Sequence, residues 1–307
     1  LSYRLDICAP LGGQIQAVGD YQLAIASKAL AGGTGDPHEA IRQARKRLKK
    51  VRGLYVLIRS GVPDFHAAEY GRLRRLAQQL GDVRDASALV DACDRLVDEN
   101  DDPAARRTLI AIRDRLEERC ARIAREDDGL YARIEETLGG CESAQSALHG
   151  LALRHSTKKQ EKIIRRGVLR VYTKLCKRYA LAQETGAVED FHALRKWMKY
   201  HWMHLRLLRD VWPGEMAIRA EKAKAVANVL GLDHDAALLG EMAIRLPEVI
   251  GTRAEIETLI MAVETHGARL HGAIDRPLAQ LCAVEPDHLD AIMKRLLIQA
   301  RKRVSSR

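Results

Sequence analysis

The chain has 307 residues, with 51 Lys and Arg against 41 Asp and Glu, a net charge of +10 and a pI near 9.4, a balance that implies an anionic partner without naming it. Its six cysteines, at 8, 93, 120, 141, 176 and 282, form no C-x-x-C pair, so neither a disulfide framework nor a zinc knuckle is indicated and a reducing compartment fits. No apolar run approaches the roughly 18 residues of a membrane span and no signal-peptide pattern opens the chain, so the expectation is a cytoplasmic protein without a membrane partner.

Ala, Leu, Arg and Glu recur with a period near 3.6 residues, β-branched runs are few and aromatics are 4%, which predicts an all-α protein. In chain order the pattern places helices at 11–31, 38–60, 65–81, 85–99, 103–126 and 129–152. The second series is 158–184, 190–210, 214–231, 235–246, 253–282 and 286–304. Pro37, Pro63, Pro103, Pro213, Pro247 and Pro286 fall at these boundaries, and Gly32-Gly33 and Gly139-Gly140 mark helix ends. Pro277 lies inside the long helix at 253–282, where it would kink or split it. Short connections between long helices favour antiparallel bundles. Residue 1 is Leu rather than Met, which leaves room for an additional N-terminal segment.

A motif recurs at an offset of 150 residues. Arg42, Arg45, Lys46 and Lys49 fall on His192, Arg195, Lys196 and Lys199. In the same register the LGDVRD string at Leu80 falls on LGLDHD at Leu230, and Pro63 meets Pro213. Two motifs sharing one register point to internal duplication, with halves at 1–150 and 151–307.

From Arg42 to Arg52 seven of eleven residues are basic and none is acidic. At about 100° per residue, Ala44, Leu48, Val51, Tyr55 and Ile58 form an apolar stripe with Arg42, Arg45, Lys49 and Arg52 opposite. In the second copy Leu194, Met198, His201, Leu205 and Leu208 form the stripe, with His192, Arg195, Lys199 and Arg206 opposite. A solvated surface face would mix signs to gain i,i+4 pairs, whereas these faces crowd like charges, a pattern better suited to binding an anion. Arg72, Arg74 and Arg75, with Lys222 and Lys224 as later counterparts, would extend the basic lining.

His192, His234 and Asp235 would suit a metal-dependent phosphohydrolase, but their first-half counterparts are Arg42, Arg84 and Asp85, and a guanidinium offers a metal no lone pair. Histidine and arginine share the ability to donate hydrogen bonds to phosphate oxygens. Asp85 and Asp235 are read either as helix N-caps or as ion-pair partners. His201 and His204 are read as interior histidines. Trp197, Tyr200 and Trp202 are read as packing residues, although Trp202 borders the basic stripe. No phosphate loop, dinucleotide fingerprint, H-E-x-x-H or G-x-S-x-G occurs, and no cofactor is expected.

Together, Ser2-Tyr3-Arg4-Leu5, ARKRLKKVRGLYVLIR from Ala44, LGDVRDA from Leu80, FHALRKWMKY from Phe191 and LGLDHDAALL from Leu230 resemble the CHAD family, the conserved histidine α-helical domain, over essentially the whole chain. The resemblance implies a single domain over 1–307. It would be built of two tandem four-helix-bundle-like halves, related by a pseudo-twofold and flanking a basic channel or surface that binds inorganic polyphosphate. It implies a binding module rather than an enzyme, often associated with polyphosphate or polyhydroxyalkanoate granules. Carried over by position, the binding residues are Arg42, Arg45, Lys46, Lys49, Arg74, Arg84, His192, Arg195, Lys196, Lys199, Lys224 and His234. Arg42 and Arg84 depart from the pattern by being arginines, and His38, one turn before Arg42, is a candidate substitute. The E-x-E-x-K pattern of triphosphate tunnel enzymes is missing at Glu255-Ile256-Glu257, so triphosphatase activity is not implied. Nucleic acid is the alternative partner, disfavoured by two Phe in all and few aromatics among the basic residues.

Overall fold

The computed structural model describes residues 3–32, 37–126, 128–153 and 155–305, apart from the side chains of residues 37, 38, 82–85, 124, 304 and 305. The Ser2, His38 and Arg84 assignments therefore lie outside what is described. The elements are α1 (Leu11–Ala31), α2 (Pro37–Ile58), α3 (Pro63–Gln79), α4 (Asp82–Asp98), α5 (Pro103–Glu126) and α6 (Leu130–His149), then α7 (Thr157–Thr185), α8 (Val188–Leu207), α9 (Pro213–Arg245), α10 (Pro247–Ile250), α11 (Arg253–Leu281) and α12 (Pro286–Ser305), with a 3-10 turn at Arg209–Val211. No strand occurs among the described residues, so the protein is all-α.

Six of these helices begin on the boundary prolines, whose fixed φ suits the first turn and whose missing N–H would have no partner there. Thr252 starts α11 with a capping box: its hydroxyl accepts from the Glu255 N–H, and Glu255 accepts from the Thr252 N–H. Pro277 sits inside α11, which runs through it as one helix.

The helices pack in three groups. In the first, α1 lies against α2 and α6, and α3 completes the ring between α2 and α6. In the second, α12, α7, α8 and α9 follow one another as neighbours. The third joins the chain's two halves: α4 and α5 pack on α11 and α9 around Cys93, Leu96, Leu109, Ile112, Leu239 and Leu259. The sequence did not reveal this shared core, because each contributing helix shows only its own apolar stripe.

α2 is the central strut. Ala44, Leu48, Val51, Tyr55 and Ile58 are all fully buried, as the helical period requires, and burying a side chain such as Leu48 is worth about 1.5–3 kcal/mol. Its other faces meet α7 and α8. The contact with α7 depends on Gly167, where a Cβ would overlap the Leu57 carbonyl.

Two boundary readings are corrected: Gly139-Gly140 end no helix but lie inside α6, and a break expected in the second half is absent. The sequence placed a break at residues 232–234, but α9 is continuous from Pro213 to Arg245. Of the two readings of Asp235, the ion pair is the one seen: it pairs with Arg195 at 3.7 Å inside α9, where the neighbouring buried Asp233 lies 2.9 Å from His271 Nε2. Gly231 meets nothing closer than 3.9 Å, so no contact forces a turn there. In the first half the same string does break the helix, at Leu80-Gly81. The side chain of Asp85 lies outside what is described.

Candidate functional site

The basic faces of α2 and α8 turn toward each other. Lys49 and Arg52 from α2 and His192, Arg195, Lys196, Lys199 and Tyr200 from α8 line one cavity of about 160 Å³. Most of these cations are half-buried between helices, with Lys196 alone exposed.

Crowding changes the chemistry of these groups. Burial, then the charges of Arg195, Arg52 and Arg45, push the Lys49 ammonium down to about 8, with Asp235 offsetting part of the shift. Asp235 is the nearby acid, lying 3.7 Å from Arg195. Arg52 sits over the Tyr70 ring at 5.2 Å, and its Nη2 donates to Tyr200 Oη at 3.5 Å. The Tyr70 and Tyr200 hydroxyls are 2.8 Å apart. These tyrosines, missed as site residues, hold the guanidinium through ring faces and hydroxyls. Their only sequence signal was the position of Tyr200 four residues beyond Lys196.

His192 and His234 meet edge to face, with centroids 4.2 Å apart. Burial and neighbouring Arg195 lower both pKa values, His234 to about 3, with the His192, Lys199 and Lys49 charges adding to the effect on His234. The lowered values favour the neutral imidazoles in the free protein. His192 Nε2 and His234 Nδ1 are buried with no protein partner.

The other proposed residues are dispersed. Arg45 donates to the Leu80 carbonyl at 2.9 Å, bracing the α3–α4 break, and its charge still reaches Lys49. Arg42 is exposed and doubly hydrogen bonded to Glu39, at 2.5 and 2.8 Å. Lys46 and Arg74 are exposed, and Lys224 is exposed beside Glu221 at 3.9 Å. None of these five lines the cavity. Arg206 lies farther along α8 over the rings of Tyr3, at 5.8 Å, and Trp202, at 5.3 Å, in a separate small pocket with Arg4 and Arg209. On Tyr3 also sits Lys50, which no sequence pattern singled out: it is buried 5.5 Å from that ring, and burial with the Arg47, Arg206 and Lys46 charges lowers it to about 8.

His201 and His204 are interior, as expected. Burial holds their pKa values at about 3 and 4, and His204 Nε2 lies 3.2 Å from the Gly53 carbonyl. Among the described residues no three His, Cys, Asp or Glu side chains converge as metal ligands. No described helix is long and apolar enough to cross a membrane.

The protein is thus an all-helical domain in which side chains of two basic helices line one cavity. The CHAD domain family matches residues 20–243, and the chain belongs to that family. The crystal structure of the CHAD domain from the plant Ricinus communis is similar in fold, with a TM-score of 0.50 at 18% identity over 96% of this chain and 93% of that one. No curated protein matches the chain.

Proposed function

We propose that this protein binds inorganic polyphosphate, without catalysing its turnover, in the cradle between α2 and α8. The observation that carries this reading is the convergence of Lys49, Arg52, His192, Arg195, Lys196 and Lys199 on one cavity, where burial and then the neighbouring guanidinium charges lower the Lys49 pKa to about 8. Such crowding is unfavourable in the free protein and is relieved by a multivalent anion. The partnerless imidazole nitrogens of His192, which lines the cavity, and of His234, packed against His192, suit an oxygen-rich ligand. The repeated order of long helices at the 150-residue offset supports duplicated halves sharing this cradle, and a cytoplasmic, granule-associated role fits the family's ligand.

The test is calorimetric titration with long-chain polyphosphate, comparing the native chain with a Lys49→Gln/Lys199→Gln variant. Binding lost in the variant supports the cradle. Equal binding by both proteins removes it. Phosphate release measured with and without chelator tests the non-catalytic reading, which steady release would overturn.

A further inference from the structure

Beyond the cradle, α7 carries a second basic surface. Lys162, Arg166, Arg170 and Lys174 recur every fourth residue, all exposed, over about 18 Å. The acids nearest in sequence are engaged elsewhere, since Glu161 pairs with Arg301. The other cations of this helix that have acidic partners are different residues, Arg165 with Asp290 and Arg178 with Asp190. A solvated helix face normally gains i,i+4 pairs of opposite sign, and this one repeats one sign over about three turns.

Side-chain contacts and then neighbouring charges link the surface to the cradle. Arg52, which lines the cavity, lies over Tyr70, and Tyr70 stacks on His66 with centroids 5.2 Å apart. His66 lies within electrostatic reach of exposed Arg59, just past α2, and of Arg170 on α7, which feels the Arg59 charge in turn. Burial and then these two charges push the His66 pKa down to about 4. Arg59 follows Arg52 by seven residues, two helical turns farther along the same side, about 10 Å away. The close Gly167–Leu57 packing keeps α7 against this end of α2.

We propose that the cradle continues over Arg59 onto Arg166, Arg170 and Lys174 of α7, forming an outer track that holds the portion of a long polyphosphate chain extending beyond the cavity. The inference rests on the cradle being a polyphosphate site and adds a preference for long chains. A phosphate chain fits better than a single-stranded nucleic acid, which gains much of its affinity by stacking bases on exposed aromatics. The exposed aromatics Tyr131 and Trp212 lie on other elements, while His66 and Tyr70 are half-buried and stacked on each other.

The experiment compares the native chain, the quadruple variant Arg59→Gln/Arg166→Gln/Arg170→Gln/Lys174→Gln and the cradle variant Lys49→Gln/Lys199→Gln. Each is titrated with tripolyphosphate, long-chain polyphosphate and a single-stranded oligonucleotide, with circular dichroism as a check of fold. The α7 variant is expected to keep its tripolyphosphate affinity and to lose about tenfold or more for the long chain, with a shallower salt dependence. The cradle variant should lose both polyphosphates. Long-chain affinity unchanged in a folded α7 variant overturns the outer track alone. Equal weakening of both polyphosphates also overturns it, by removing the length preference. Loss of oligonucleotide binding with long-chain polyphosphate binding retained reassigns the surface to nucleic acid. If the native chain binds neither polyphosphate, the cradle reading has failed and the track falls with it.

Discussion

The imidazoles of His192 and His234 come from different helices, α8 and α9, and meet edge to face at 79° with 4.2 Å between centroids. Burial beside Arg195 lowers both pKa values, His234 to about 3. A bound polyanion favours their charged forms, so their pKa values rise in the complex and affinity increases as pH falls from the bound pKa toward the free one. Because the free values are depressed, the gain continues below the ordinary histidine range near pH 6.5. Titrations between pH 7.5 and 4.5 should show it, and His192→Gln/His234→Gln should flatten the profile. The same slope in that double variant would reject the assignment.

Lys49 sets binding against stability. Its folded-state pKa of about 8 lies below the unfolded value near 10.5, so the folded state binds fewer protons between those values and stability rises with pH across that window. Lys49→Met, which removes the crowded charge and keeps the buried stem, should stabilise the free protein at pH 7 by on the order of 1 kcal/mol, about 2 °C in Tm. The same variant should weaken polyphosphate binding. Thermal melts and titrations on one preparation would check both effects, and a lower Tm would show that the ammonium makes a net stabilising contact.

Charge removal on the two helices should be comparable. Lys49→Gln/Arg52→Gln and Arg195→Gln/Lys199→Gln should each weaken long-chain binding by roughly 1.5–3 kcal/mol for every charge-assisted hydrogen bond to phosphate that is removed, less where solvent screens it. Both pairs should reduce the slope of log affinity against log salt. Arg45 belongs in neither pair, because losing its bond to the Leu80 carbonyl would also disturb the α3–α4 break. A strong effect from only one helix would contradict a cradle shared between them.

Gly167→Ala should destabilise the fold by about 1–3 kcal/mol, because the added methyl meets the Leu57 backbone rather than a side chain able to turn away. Denaturant unfolding would measure it. A neutral result would mean that α7 shifts against α2 at little cost.

Acid should weaken the fold before it protonates most carboxylates. His201 and His204 are fully buried, with pKa values near 3 and 4, so the unfolded chain binds more protons below about pH 6.5 and stability falls as pH drops through that value. At pH 5 the loss approaches about 2 kcal/mol for each group. Replacing His201 with Leu should reduce the decline between pH 7 and 5 in thermal melts, and an undiminished decline would place the sensitivity elsewhere.

The helical period alone determined the all-α class, the buried stripe from Ala44 to Ile58 and the helix starts at six prolines, because these depend on local geometry: 100° per residue and a ring that fixes φ. The 150-residue offset likewise brought out Lys49, Arg195 and Lys199. Periodicity does not show which helix a polar face meets. Only the tertiary packing decided that Lys49 and Arg195 share a cavity and that Arg206 joins Tyr3 instead, whereas the turn of Arg42 to Glu39 is a local i,i+3 pair within α2. The same string that breaks the chain at Leu80-Gly81 continues as helix through Asp233, because His271 and Arg195, distant in sequence, supply the partners for its acids. Electrostatic partners and burial depend on distances through space, and those distances set the charge of each site residue at neutral pH.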